Sequence, residues 1–306
     1  MIQYFYRNRN HTNLQVHAEY RAGSWVCVEN PTEVELLQLA EKLNLETDIL
    51  LDALDPFEVP RIEKEGAVTY VFTRFAYKNN DKIATAPVLI VVSPSFLITI
   101  SVKALPFLDT FIQGKVSFFT TQKTKLLMLL FVEMHKDYQR LVNAIQKNIR
   151  NLSSDLEQIN NKDIGTFVKF ETLFNDFLFG LEPTSVTLKK FVSGKYIKLY
   201  EEDKDLIEDL LVDNEQLIRL CQSNQKGIFN IRESHYSVLS NNLNKTMKLL
   251  TSVTVILTIP TMVASFFGMN VAVPLANNPL AFLLILSGTI IISSGLLALF
   301  NRRDLL

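Results

Sequence analysis

Seven residues near the C-terminal end of the chain share one spacing. Asn244, Met247, Thr251, Thr254, Thr258, Thr261 and Ser265 follow one another at intervals of 3, 4, 3, 4, 3 and 4. That rhythm puts them on one face of a helix. The other faces carry Leu250, Val253, Val255, Ile256, Leu257 and Ile259. A line of hydroxyls along an apolar helix needs a polar partner. Two suit it. One is a neighbouring helix, since Ser and Thr are common helix–helix contacts or bond back to their own turn. The other is water on the axis of a ring of such helices. Phe267, Gly268, Met269 and Asn270 follow, where the helix should end.

The elements that must position this stripe are apolar and bilayer-sized. No charged residue occurs between Lys248 and Arg302. Two membrane-spanning helices are expected, over 249–268 and 280–300, each close to the ~20 residues that a bilayer core requires. Gly268, Asn270, Pro274, Asn277, Asn278 and Pro279 break the run between them. The second span has small residues (Ser287, Gly288, Thr289, Ser293, Ser294, Gly295) but no regular stripe, and reads as packing or lipid-facing. Lys245 and Lys248 precede the first span, Arg302 and Arg303 follow the second, and the loop has neither Lys nor Arg. The positive-inside rule then predicts a multi-pass protein of the cell's inner (cytoplasmic) membrane with both termini in the cytoplasm.

The remaining composition excludes several classes. A net charge of −1 over 306 residues gives no general basic character, so nucleic acid is not an expected partner. Met1 to Tyr20 is polar, with Arg7, Arg9 and His11, and does not read as a signal peptide. Cys27 and Cys221 are far apart, which fits a reducing compartment rather than a disulfide or zinc site. His11, His17, His135 and His235 lack ligand spacing, and no Ser-His-Asp or Cys-His arrangement stands out. No Gly-rich phosphate loop is present, so no ATP-driven step and no organic cofactor are expected. An enzyme is the least supported reading.

Upstream of the spans the chain reads as an α/β domain over 1–115 and a helical domain with stalk over 116–248, followed by the transmembrane domain over 249–306. Ser24 to Glu29, Val68 to Ala76, Val88 to Ser93 and Phe96 to Val102 are strand-like, parted by turns such as Asn79-Asn80-Asp81 and Pro94-Ser95. Asn30-Pro31-Thr32-Glu33 reads as a helix start with Asn30 as cap, running to about Leu43, and a second helix covers Thr47 to Leu54. Helical spacing continues over Lys123 to Asn160 and Ile164 to Leu181. From about Tyr196 a helix-compatible stretch enters the first span. Unbroken, it would have about 70 residues and reach roughly 105 Å. Such a stalk must pack on other helices, with Gly227 as a point of weakness.

Gly268, Met269 and Asn270 sit at the outer end of the first of two C-terminal spans. In that position the chain resembles the CorA family of magnesium and divalent-cation transporters, whose signature is Gly-Met-Asn. The likeness extends to Trp25-Val26, Asn30-Pro31-Thr32, Pro60 and Glu63 before the Tyr70 strand, and the acidic helix leading into the first span. It implies a funnel-shaped homopentamer, with a cytoplasmic α/β domain, a long helical stalk and two transmembrane helices, in which the first span of each subunit lines a pore. It places pore-lining positions at Asn244, Met247, Leu250, Thr258, Thr261 and Asn270, most of them members of the stripe. The implied cargo is Mg²⁺, with cobalt as a related cation. The resemblance also implies a cytoplasmic regulatory Mg²⁺ site at Asp209, in the acidic run Glu201, Glu202, Asp203, Asp205, Glu208, Asp209, Asp213 and Glu215. That run alone reads as a solvated helix face. Asp81 is the expected partner of Asp209, although Lys78 and Asn79 stand where acids are expected. Val271 to Pro279 has no Asp or Glu, whereas relatives often carry acids there.

These residues predict a filter at Gly268, Met269 and Asn270, an apolar constriction at Met247 and Leu250, and a hydroxyl track through Thr251, Thr254, Thr258, Thr261 and Ser265. Pro260 reads either as a bend or as a tolerated membrane proline. Competing readings are a family relative moving Zn²⁺, Co²⁺ or Ni²⁺, outward in one version, and a membrane-anchored sensor or scaffold.

Overall fold

The computed structural model describes residues 1–9, 11–80, 82–156, 158–271, 274 and 278–303. Its strands are β1 (Ile2–Asn8), β2 (His11–His17), β3 (Trp25–Glu29), β4 (Arg61–Glu65), β5 (Val68–Asn79), β6 (Lys82–Val92) and β7 (Leu97–Ser101). Its helices are α1 (Glu33–Leu43), α2 (Thr47–Asp52), α3 (Leu108–Ile112), α4 (Lys123–Leu152), α5 (Asn161–Val192), α6 (Glu201–Phe267) and α7 (Ala281–Arg302). Two contact units result: Met1–Asp155 with Ile159–Asn230, and Leu156–Gln158 with Ile231–Leu306. Helix α6 contributes to both.

In the first unit all seven strands form one sheet in the order β2-β1-β3-β7-β6-β5-β4. Only β3 and β7 pair in parallel. Side chains alternate across a strand, and here both faces are buried. Trp25, Cys27, Val71 and Phe75 join Leu126, Leu130 and Phe131 of α4, Phe191 of α5 and Ile207 of α6 in one core. Val26, Val28, Tyr70 and Phe72 join Leu36, Leu39 and Leu50 of α1 and α2 in another. Helices on both faces explain why these strands read as continuous apolar runs. The indole of Trp25 donates from Nε1 to Thr99 Oγ1 at 3.1 Å, so its one polar atom is satisfied inside the core.

Several boundaries differ from the sequence expectation. Asn30 does not cap α1; it sits at φ 48°, and Thr32 is the cap, in a reciprocal capping box with Glu35. Strands β1, β2 and β4 were absent from the sequence reading. The helix expected to reach Asn160 ends at Leu152. Helix α5 continues past Leu181 and through Pro183 to Val192. Proline removes one backbone donor and crowds the preceding turn. The Thr184 hydroxyl donates to Gly180 O at 2.8 Å in that turn. Gly180 itself is required by close approach: a Cβ there would lie 2.7 Å from the Tyr138 hydroxyl. Helix α6 starts at Glu201 rather than near Tyr196 and runs unbroken for 67 residues, past both Gly227 and Pro260.

Helices α4, α5 and α6 share a buried polar junction. His135 Nδ1 lies 2.8 Å from Phe131 O and its Nε2 lies 2.8 Å from Asn214 Oδ1, while Asn214 Nδ2 donates to Leu181 O at 2.9 Å. Both acceptors, with Asp213 nearby, favour the imidazolium. Burial opposes it more strongly and holds the His135 pKa below its ordinary 6.5. The unfolded chain therefore binds the proton first. The contribution to stability is complete above about pH 6.5 and is lost as pH falls towards the folded-state pKa. Thermal unfolding followed from about pH 7 to about pH 5 should show a falling midpoint, at roughly 2–4 °C per kcal/mol. The fall should be smaller in His135→Gln, and equal falls would contradict this account.

Candidate functional site

The stripe lies in the second unit. Asn244, Met247, Leu250, Thr251, Thr254, Thr258, Thr261 and Ser265 are all exposed on α6. Met247 and Leu250 keep 51% and 59% of their surface, within an exposed apolar surface that also takes in Leu243, Leu257 and Met262. Three of the hydroxyls bond back to their own helix: Thr254 to Leu250 O at 2.8 Å, Thr258 to Thr254 O at 2.7 Å and Thr261 to Leu257 O at 2.9 Å. Each spends its proton on a carbonyl one turn back and leaves its oxygen lone pairs as acceptors.

The covered positions of α6 form a different stripe. Ser252 is buried, and Ile256, Ile259, Pro260 and Val263 are half-buried. At about 100° per residue this line lies roughly half a turn from the hydroxyl line. On α7 the covered positions are Ala281, Ile285, Gly288, Thr289, Ser293 and Leu296, again one stripe. Of the small residues of the second span, Gly288, Thr289 and Ser293 lie on this covered stripe, and Ser287, Ser294 and Gly295 are exposed. Ser252 was missed in the sequence because it stands off the hydroxyl rhythm; only its small size among Leu and Val pointed to close packing. Both helices are long and apolar enough to cross a membrane, with 6% and 0% of their apolar windows buried, unlike the core helix of a soluble domain.

Helix α6 ends at Phe267. The Gly268 amide still donates to Ala264 O at 2.9 Å, and its φ lies outside the left-handed region. Its lack of a side chain matters for another reason: a Cβ would stand 3.2 Å from Ala264 O. Met269 and Asn270 follow, both exposed. In the loop, Asn277 lies outside the described residues. Asn278 accepts the Leu280 amide at 2.9 Å, so its carbonyl helps start α7.

The acidic run at the start of α6 belongs to the first unit. Asp209 is exposed there, as are Glu201, Asp205, Glu208 and Asp213, while Asp203 is buried. Glu201 pairs with Lys204 at 2.7 Å, and Glu215 with Lys189 and Arg219 at 3.3 and 3.8 Å. Asp81 lies outside the described residues. Among the described residues no group of three or more His, Cys, Asp or Glu could hold a metal ion.

Comparison with known proteins gives one answer. The family model for the CorA-like Mg²⁺ transporter protein matches residues 21–303. A curated relative, the cobalt/magnesium transport protein CorA of Methanocaldococcus jannaschii, is 25% identical over 295 residues, covering 91% of this chain and 90% of its own. The complete structure of that organism's CorA magnesium transporter superposes with a TM-score of 0.88 at 21% identity, covering 99% of this chain and 98% of that one. The full-length CmaX protein gives 0.78 at 16%, covering 99% and 97%. The cytoplasmic domain of ZntB from Vibrio parahaemolyticus gives 0.66 at 7%, covering 78% and 98%. At these identities the structural likenesses show the fold alone: an N-terminal α/β domain, a long helix and two C-terminal candidate membrane helices.

The two stripes make opposite forecasts for chemical access. Cysteines at Thr258 or Thr261 should react with a charged, membrane-impermeant thiol reagent about tenfold or more faster than cysteines at Ile256 or Val263. The native thiols give little background, because burial pushes Cys27 and Cys221 up to about 12. Faster labelling at Ile256 or Val263 would reverse the assignment of faces.

Proposed function

Because the chain belongs to the family of CorA-like Mg²⁺ transporter proteins and is a divalent-cation transporter of that family, we propose that it carries Mg²⁺ into the cell as a homopentameric channel. The observation that carries this reading is the uncovered hydroxyl stripe on α6, half a turn from the covered face of the same helix. Copies of α6 arranged around an axis would turn the stripe inward and leave α7 outside, against lipid.

Mg²⁺ is small and gives up its waters reluctantly, so its filter should recognise the hydrated ion. On this reading a ring of Asn270 side-chain carbonyls accepts hydrogen bonds from water on the ion at the outer mouth, beside Gly268 and Met269. The back-bonded Thr254, Thr258 and Thr261 continue the track as acceptors, between Thr251 and Ser265, with Asn244 at the inner end. Met247 and Leu250 form an apolar constriction that gates by dewetting. The membrane potential supplies the drive, about 2.3 kcal/mol per charge per 100 mV or roughly 4.6 for a dication. No organic cofactor takes part. In the proposed division, 1–115 and 116–248 are cytoplasmic and 249–306 spans the inner membrane, with both termini inside.

Closure is assigned to cytoplasmic Mg²⁺ at Asp209. A carboxylate suits this hard cation, but one exposed Asp is an incomplete ligand set, so a neighbouring subunit must supply the rest; Asp81 is the proposed donor. Without the ion the carboxylates repel and opening is favoured.

Two measurements test the proposal. Protein in liposomes with an internal magnesium dye and an inside-negative potential should take up Mg²⁺. Asn270→Ala should lower the rate about tenfold or more, the effect of losing a charge-assisted hydrogen bond worth roughly 1.5–3 kcal/mol. Uptake of Zn²⁺, Co²⁺ or Ni²⁺ alone would reassign the cargo, and no flux of any of these would leave a membrane-anchored scaffold. In the same assay Asp209→Asn should weaken closure by internal Mg²⁺, and unchanged closure would remove Asp209 from the regulatory site.

A further inference from the structure

The first unit contains a cavity of about 870 Å³ whose lining includes none of the stripe residues. Five cationic side chains line it: Arg9, Lys64, Lys123, Lys125 and Lys198. Among the described residues two carboxylates do, Glu201 and Asp203, and Glu201 is already paired with Lys204. The cavity also receives the first turn of α4, whose N-cap Gln122 makes no side-chain capping bond and which carries no acid. Lys123 and Lys125 occupy that turn instead. A helix N-terminus carries partial positive charge and unsatisfied N–H groups, and favours anions. Two lysines there are of the wrong sign for the helix alone. Lys123 is half-buried, and its Nζ donates to Thr121 O at 3.5 Å.

The facing wall is a strap over 195–200, fixed by three bonds. Lys64 Nζ donates to Lys195 O at 2.6 Å, Thr69 Oγ1 to Tyr196 O at 2.6 Å and Thr124 Oγ1 to Lys198 O at 3.0 Å. These bonds occupy strap carbonyls, whose negative ends would otherwise repel an anion. Tyr196 and Tyr200 border the same space, and Tyr200 is 59% exposed. The volume falls within the ~300–1,000 Å³ of small-molecule sites.

We propose that this cavity binds a nucleotide polyphosphate, with the phosphates against Lys64, Lys123, Lys125 and the start of α4, and the base against Tyr196 and Tyr200. Calorimetric titration of the purified full-length protein with ATP, pyrophosphate and inorganic phosphate tests it. ATP should bind saturably and more tightly than pyrophosphate, and pyrophosphate more tightly than phosphate. Lys123→Ala should weaken ATP at least about tenfold, as should the exposed pair Lys64→Ala with Lys198→Ala, and affinity should fall with salt. Tyr200→Ala should remove the advantage of ATP over pyrophosphate. Melting and elution of each variant establish that it is folded. Equal affinity for ATP and pyrophosphate in the wild type would overturn the nucleotide assignment. No saturable binding of any of the three, or binding untouched by both lysine variants, would overturn the site. Binding is read without flux, so failure here and failure of the transport proposal are separate results.

Discussion

A polar group inside a bilayer must find a partner in protein or in water. That constraint sorts the faces of α6. Ser252, the one fully buried polar residue of its span, lies on the covered side with Ile256 and Val263. The threonines lie on the opposite side and cannot rely on α7. They settle part of the demand locally, through bonds of 2.7–2.9 Å to their own carbonyls. What remains is a row of acceptor oxygens, beside the exposed Met247 and Leu250. A single copy leaves that row exposed, which is the demand the proposed homopentamer would meet.

The first unit answers a different demand. A 67-residue helix cannot draw its stability from backbone propensity alone; it needs packed faces. Ile207, Leu210, Leu217, Cys221 and Ile228 are buried at intervals of 3, 7, 4 and 7, a seam along the first half of α6. Asn214 lies on the same seam and makes the junction with His135 and Leu181. A buried amide tied to two neighbouring helices fixes register, because a shift of one residue would strand its polar atoms. The stalk segment is thereby anchored before it leaves the unit.

How much of this was legible in the sequence follows from the range of each signal. The hydroxyl stripe and the apolar spans depend on spacing within one helix, so the faces could be assigned from positions alone. The central strands were legible because helices bury both of their faces. Strands β1, β2 and β4 were not: they lie at or near the sheet edges, and residues such as Arg7, Asn8, Glu63 and Lys64 dilute the apolar run. Helical spacing alone ends at Leu181, before Pro183, whereas packing of α5 against the sheet overrides the proline's cost of roughly 3 kcal/mol. Asn30 and Thr32 are both good caps, and only the reciprocal bond from Glu35 separates them. The basic cavity had no local signature, since its cations come from positions 9, 64, 123, 125 and 198.

The two candidate sites differ in the sign and strength of what they offer, and the difference fits two kinds of ligand. The α6 stripe presents neutral acceptors with their protons already committed. In the proposed channel such a surface would accept the outward-pointing hydrogens of water around a cation and bind weakly enough to release it, as conduction requires. A ring of carboxylates in the same place would hold a dication too long. The cavity of the first unit presents donors and full positive charges in a partly enclosed space, where charge–charge interaction is stronger than at an open surface. That suits a ligand that is meant to stay. Weak neutral acceptors along the proposed path and strong cations in a pocket are the arrangements expected when a cation must pass and an anion must be held.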